Sequence, residues 1–292
     1  MKTISRNQTI TDFGPSHPPV ETVDPGESVW VQTHDCYGGR IRTEKDLRPN
    51  IRIPVINPST GPIAVKGVST GDVIRVRIEE IRLDHQGIMV TAPGLGPLGD
   101  NIREADTKVI PIWDGMAHFS ESIRFPVRPM IGVIGVAPAD RKISAEAPGT
   151  HGGNMDTKAI TSGSSVYFPV FVHGANLALG DLHAAMGDGE MSGTGIEIAG
   201  NVRLSISKVK NFPLSMPLVE TDEEYMVIAS GETFEKAIRV GIEQSVSLLK
   251  EFLGLSFPDA YCLLSATCDL RVSQIVNPLL TVRVAIPKSL IE

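Results

Sequence analysis

A mostly β chain of the α+β class is what this sequence predicts, and three observations predict it. Short runs rich in Val, Ile and Thr recur from end to end, several with apolar–polar alternation. Glycine and proline, 28 and 21 of the 292 residues, cut those runs into short strands. Only Thr233 to Leu253 carries a sustained helical period.

The elements follow in order. Residues 1–14 form a polar lead-in with strand character, broken by Pro15 to Pro19. Glu21 to Thr33 reads as a hairpin around Asp24-Pro-Gly26, with Val29, Val31 and Thr33 on one face and Trp30 and Gln32 on the other. It ends at His34-Asp35-Cys36. A His-Asp pair there serves either as ligand or base, or as a capping Asp beside a satisfied histidine; spacing leaves both open. Residues 40–50 are charged and read as a lid or surface helix-turn. Pro62 to Val68 and Val73 to Ile81 flank a turn at Ser69-Thr-Gly-Asp72, and Arg75, Arg77 and Glu79 mark a solvated strand face. His85 reads as surface. Residues 92–107 are loop. Lys108 to Phe119 and Ile123 to Phe125 are strands, with His118 on a strand face. Ile131 to Ala137 is a buried strand, and a long loop containing Glu146 follows it. Glu146 is either a general base or a loop acid without a role.

Beyond residue 200 an alternating strand, a linker with Pro213 and Pro217, and a strand over 222–229 lead into the helix. Phe234, Ala237, Ile238, Ile242, Val246, Leu249 and Leu253 recur at three and four, so this helix covers a sheet face. Gly254 suits its stop and Lys250 its last turn. Asp259 to Cys268 is a second, shorter helix candidate. Leu270 to Val276 and Leu280 to Ile286 read as strands.

Composition excludes several functions. Charge is −7 and no basic cluster occurs, so nothing points to nucleic acid. Three cysteines, an odd count, argue against a disulfide framework and fit a reducing cytoplasm. The start lacks the apolar region of a signal peptide, and no apolar run approaches the ~20 residues of a membrane span. A cytoplasmic enzyme or binding protein, with no membrane partner, is the expectation.

The chemistry concentrates between Thr150 and Gly200. Three of the seven histidines lie there, His151, His173 and His183, among Asp156, Asp181, Asp188, Glu190, Glu197 and many glycines. Two clusters stand out, His151-Gly-Gly-Asn-Met-Asp156 and Asp181-Leu-His183 through Glu190. Residues 164–173 read as a strand, and Leu177 to Ala185 as a strand running back from the turn Gly174-Ala-Asn176. Asp181 and His183 then share a face and approach the loop with His151 and Asp156. Imidazole and carboxylate together suit a divalent metal.

The segments DPGESVWVQTHDCYGG, NPSTGPIAVKGVSTGDVIRVRIEEI, PGTHGGNMD, GDLHAAMGDGE and EIAGNV occur in this order. With them the chain resembles the acetamidase/formamidase family from about Ile4 to Ile291. The resemblance implies hydrolysis of short amides to acid and ammonia, a homodimer, and a functional role for Asp35. It also implies a jelly-roll-like β-sandwich from residues 1–50 and 136–220 that holds the active site. A small β-barrel-like insert over 51–135 and a C-terminal α/β layer over 221–292 complete that expectation.

Three mechanisms compete. In the first, a metal, zinc or else calcium, activates water against the amide carbonyl. Its candidate ligands are Asp35, His151, Asp156, Asp181, His183 and Glu190; Glu146, Asp35 and His151 are the candidate catalytic groups, with Glu146 or an unligated carboxylate as proton acceptor. The second is a Lys-Ser-Ser arrangement of Lys158, Ser164 and Ser165, although Thr161-Ser-Gly-Ser-Ser165 matches its glycine-rich motif poorly. The third makes Cys36 the nucleophile beside His34 and Asp35. A metal-stabilised binding module without catalysis is the non-enzyme alternative.

Overall fold

Alternation along the chain becomes sidedness in the fold. Ser28–Thr33 buries Val29, Val31 and Thr33 and leaves Ser28, Trp30 and Gln32 half-buried. Gly200–Val209 does the same with Val202, Leu204 and Ile206. The computed structural model describes residues 1–53, 55–210 and 212–291. In it, a nine-stranded sheet runs in the order Lys2–Ile4, Ser28–Thr33, Gly200–Val209, Val73–Leu83, Ser165–Pro169, Leu218–Glu220, Glu224–Gly231, Leu280–Pro287, Asp269–Gln274. A second sheet is built around Leu177–His183, which pairs with Met130–Gly135, Ser59–Val65 and Glu197–Ile198. Apolar side chains of both sheets meet in one core, with Val31, Ile74, Ile78, Phe168 and Leu204 from the first and Ile63, Ile134, Leu179 and Ile198 from the second.

The chain is therefore mostly β, with two α-helices among the described residues. Helix α1, Phe234–Leu253, is capped by Thr233, whose side chain accepts from the Lys236 N–H, and stops at Gly254 with φ 65°. It packs on Glu224–Gly231 and Leu280–Pro287, where Gly241 lets the helix approach Val284 and Ala229. Helix α2, Phe257–Thr267, starts two residues before the expected Asp259, because Ser256 caps it and Pro258 suits its first turn. None of the helices among the described residues is long and apolar enough to cross a membrane.

Three pairs of strands expected on either side of a turn do not pair with each other. Glu21–Val23, Ser59–Val65 and Leu177–His183 lie in the second sheet, whereas Ser28–Thr33, Val73–Leu83 and Ser165–Pro169 lie in the first. The turns between them cross from one sheet to the other. In each case both strands bury their apolar side chains in the shared core, which a turn around the edge permits and periodicity does not distinguish. The strands of residues 51–135 are accordingly divided between the sheets: Ser59–Val65 pairs with Leu177–His183, and Val73–Leu83 with Gly200–Val209. Of residues 40–50, expected as a lid or helix-turn, only Arg48–Asn50 forms a helical turn, of the 3-10 type.

Leu177–His183 is buried along its whole length. A strand covered on both faces is an expensive place for charge, and Asp181 and His183 lie on it. That is where the site forms.

Candidate functional site

Six chemically active side chains converge on the buried strand. Asp181 and His183 come from Leu177–His183 itself. Glu197 stands opposite His183 on the neighbouring strand. Cys36 follows Ser28–Thr33, Asp156 follows the short strand Gly152–Asn154, and Glu190 lies in the glycine-rich turn after His183. All six are buried. Asp156, Asp181 and Glu190 take φ values of 39°, 56° and 49°, a left-handed backbone that non-glycine residues seldom adopt and that clusters at functional sites. Gly132 makes the convergence possible: a Cβ there would sit 2.4 Å from Asp156 Oδ1 and 2.6 Å from Asp181 Oδ2.

Two groups of three ligand atoms result, each within 4.8 Å of one another: Cys36, Asp181 and Glu197, and Asp156, His183 and Glu190. His183 Nε2 lies 3.2 Å from Glu197 Oε2 and 3.5 Å from Asp181 Oδ1, yet without hydrogen-bond alignment. Asp156 Oδ1, Asp181 Oδ1, Glu197 Oε2 and both His183 nitrogens have no hydrogen-bond partner. Other atoms of the same groups are held: Asn277 donates to Asp156 Oδ2 at 2.7 Å, and the Gly195 N–H to Glu197 Oε1 at 3.0 Å. Turned as its neighbours require, Asn154 donates to Asp156 Oδ2 at 3.0 Å and Asp181 Oδ2 at 3.2 Å.

The electrostatics follow from crowding acids in a dry place. Burial and then the Asp181 charge push Asp156 up to about 6. Burial pushes Glu197 up to about 7, with His183 opposing and Asp181 adding. Burial and Asp156 carry Glu190 well above the usual carboxylate range. For His183, burial pulls down, but the Glu197 and Asp181 carboxylates outweigh it and hold the ring well above its ordinary value. Burial, then Glu197 and Asp181, push the Cys36 thiol well up, which makes its thiolate scarce at neutral pH. The cluster thus has a high appetite for cationic charge. Carboxylates, an imidazole nitrogen and a thiol whose free atoms face one another fit a divalent cation, with sulfur and nitrogen suited to zinc and the oxygens also to calcium.

The adjoining cavity is about 150 Å³. Beside the cluster residues Cys36, Asp156, Asp181, Glu190 and Glu197, its walls include Tyr37, Arg48, Asn57, Asn154, Thr194 and Asn277. Pockets for drug-sized ligands run to roughly 300–1,000 Å³, so this one suits a molecule of a few heavy atoms.

The structure brings together Asp156, Asp181, His183 and Glu190 of the sequence-derived ligands. Glu146 lines the cavity at its exposed side. Asp35 faces a neighbouring cavity with His34, and its Oδ1 accepts from the N–H groups of Tyr37 and Gly39. His151 stays outside both ligand groups and packs edge-on against Phe13, 5.1 Å between ring centroids. The Lys-Ser-Ser arrangement does not assemble: Lys158 pairs with Asp188, Ser164 Oγ donates to the Thr161 carbonyl, and Ser165 Oγ accepts from Arg75.

The comparisons with known proteins point the same way. The model of the acetamidase/formamidase family matches residues 3–147 and 139–292, which together span nearly the whole chain. The chain belongs to the acetamidase/formamidase family. An acetamidase from Bacillus halodurans shares its fold with a TM-score of 0.96 and 41% identity, over 98% of this chain and 97% of that one. A predicted acetamidase/formamidase from Thermoanaerobacter tengcongensis matches with a TM-score of 0.96 and 42% identity, over 99% and 96%. The formamidase of Methylophilus methylotrophus is 28% identical over 260 residues, 68% of this chain and 63% of its own length. The chain likewise spans 63% of the length of a Schizosaccharomyces pombe relative.

Within this family member, sequence reasoning passes over several groups of the cavity. Glu197 lies in the EIAGNV segment and is not among the ligands expected from the sequence. Cys36 is expected there as a nucleophile only. Asn57 and Asn277 each precede a proline, Pro58 and Pro278, and an Asn-Pro pair marks a turn start, which is the one local signal they offer.

Proposed function

We propose that this chain hydrolyses short aliphatic amides, formamide and acetamide among them, to carboxylate and ammonia at the cavity lined by Asp156, Asp181 and Glu197, beside His183. The observation that carries the reading is the set of buried, unpartnered polar atoms on Asp156, Asp181 and Glu197, which line a cavity sized for a small molecule, and on His183 beside them. Asp156, His183 and Glu190, with Cys36, Asp181 and Glu197 beside them, would hold zinc, with calcium the alternative on the carboxylates. Such a cation lowers the pKa of water it binds and polarises an amide carbonyl.

The protein's own groups do the rest. The walls set by Tyr37, Thr194 and Asn277 limit the acyl group to a small one. Glu146, which lines the cavity outside both ligand groups, takes the proton of the attacking water and delivers it to the departing nitrogen. Neither the raised thiol of Cys36 nor the dispersed Lys158, Ser164 and Ser165 favours a covalent route. We read the working form as a homodimer; light scattering at the monomer mass of 31.4 kDa would exclude that.

The test is ammonia release from formamide and acetamide by the purified chain, before and after chelation. Release lost on chelation and restored by zinc supports the reading. Tightly bound metal with no release from any small amide would instead make this a metal-stabilised binding module.

A further inference from the structure

The C-terminal layer, far along the chain from the ligand cluster, sends one loop into it. Residues 275–279 connect Asp269–Gln274 to Leu280–Pro287. Gln274, fully buried, braces this loop from inside. Its Oε1 accepts from the N–H groups of Val276 at 2.8 Å and Asn277 at 2.9 Å. Its Nε2 donates to the Leu279 carbonyl at 2.6 Å and to Thr281 Oγ1 at 2.8 Å. Both donor positions and both acceptor positions of the amide are thereby engaged in fixing one short loop.

The braced loop then grips the cluster at two points. Asn277 Nδ2 donates to Asp156 Oδ2 at 2.7 Å and to the Asn154 carbonyl at 2.9 Å. Next to Gln274, the Gly189 N–H donates to the Ser273 carbonyl at 2.8 Å, and the Ile275 N–H to the Gly189 carbonyl at 3.1 Å. Gly189 precedes Glu190. Asp156 and Glu190 are two of the three members of one ligand group, and both hold left-handed backbone that needs outside support.

We infer that Asn277 and Gln274 are positioning residues of this site: Asn277 aims the Asp156 carboxylate, and Gln274 acts through Asn277 and the Gly189 contact. The inference rests on the proposed reading of the cluster as a cation site serving amide hydrolysis. Groups that orient metal ligands by hydrogen bonds change metal affinity or activity about 10–100-fold when removed.

The test uses the full chain with Asn277→Ala, Gln274→Ala and the double substitution. Zinc affinity is read by chelator competition, kcat and KM with acetamide, and folding by urea midpoint. Asn277→Ala should lower zinc affinity and kcat about 10–100-fold, shift KM less than about threefold and keep the urea midpoint. The double variant should be little worse than Gln274→Ala, since the Asn277 contact already depends on Gln274. Should Gln274→Ala fail to fold, Gln274→Met, of similar volume and without the amide, should lower zinc affinity and kcat as Asn277→Ala does; wild-type values there would overturn the role of Gln274. Asn277→Ala with zinc affinity and kcat of the wild type overturns the inference. So do independent, multiplying losses in the double variant. A wild type that cleaves acetamide after full chelation refutes the cation reading alone, and kcat then decides. One that binds zinc and cleaves no amide refutes the hydrolase reading alone, and zinc affinity decides. One that does neither overturns the inference with its premise.

Discussion

His151 is placed so that acid should unfold this protein partly through it. Its ring is fully buried against Phe13, and neither nitrogen has a hydrogen-bond partner. Burial first, and then the Arg141 charge, lower its pKa from 6.5 to about 4. In the unfolded chain the imidazole binds a proton as pH falls through about 6.5; in the folded chain it does so only near 4. Between those values the unfolded state holds more protons, so stability falls as pH falls. At about 1.4 kcal/mol per pKa unit, the gap is worth about 3 kcal/mol once pH has reached 4. His151→Leu removes the titrating group at similar volume. Urea unfolding of both proteins from about pH 7.5 down to 4.5 should show the variant gaining on the wild type by about 2–3 kcal/mol over that range. The same variant should keep ammonia release at neutral pH. A stability difference that stays constant with pH would refute the reasoning, and lost activity with intact folding would return His151 to the site.

Three further outcomes follow from the same geometry. His183→Ala should lose bound zinc and amide hydrolysis together while the chain stays folded; full metal content and unchanged ammonia release would remove His183 from the site. Gly132→Ala should abolish activity and cost about 1–3 kcal/mol in urea, because its methyl lands against the Asp156 and Asp181 carboxylates; unchanged kcat would show that the carboxylates can part. Iodoacetamide at neutral pH should label exposed Cys262 and spare Cys36, whose thiol is buried and raised; mass spectrometry showing Cys36 labelled first would revive the nucleophile reading.

Much of the architecture is local information and can be read from the chain. Helix α1 carries its own instructions: a 3.6-residue apolar period, Thr233 before it and Gly254 after it. The strands Ser28–Thr33 and Gly200–Val209 announce their buried faces by alternation. The density of acid, imidazole and glycine from residue 150 to 200 locates the chemistry, because few other roles gather those residue types. Family membership is legible for the same reason, in five segments that keep their order.

What the sequence could not decide is which strand neighbours which. A turn such as Ser69-Thr-Gly-Asp72 looks alike whether the chain folds back beside itself or passes to a facing sheet. Only the packed core distinguishes these, since both arrangements bury the same residues. The error carries into the site, where His151 is near Asp156 in sequence yet turned towards Phe13, while Cys36 and Glu197 arrive from other strands. Asn277 lies more than a hundred residues from Asp156 and reaches it only because Gln274 holds the intervening loop. Composition and period determined the elements and the kind of chemistry. The choice of side chains that meet around His183 belongs to sheet pairing, which depends on contacts between residues distant in sequence.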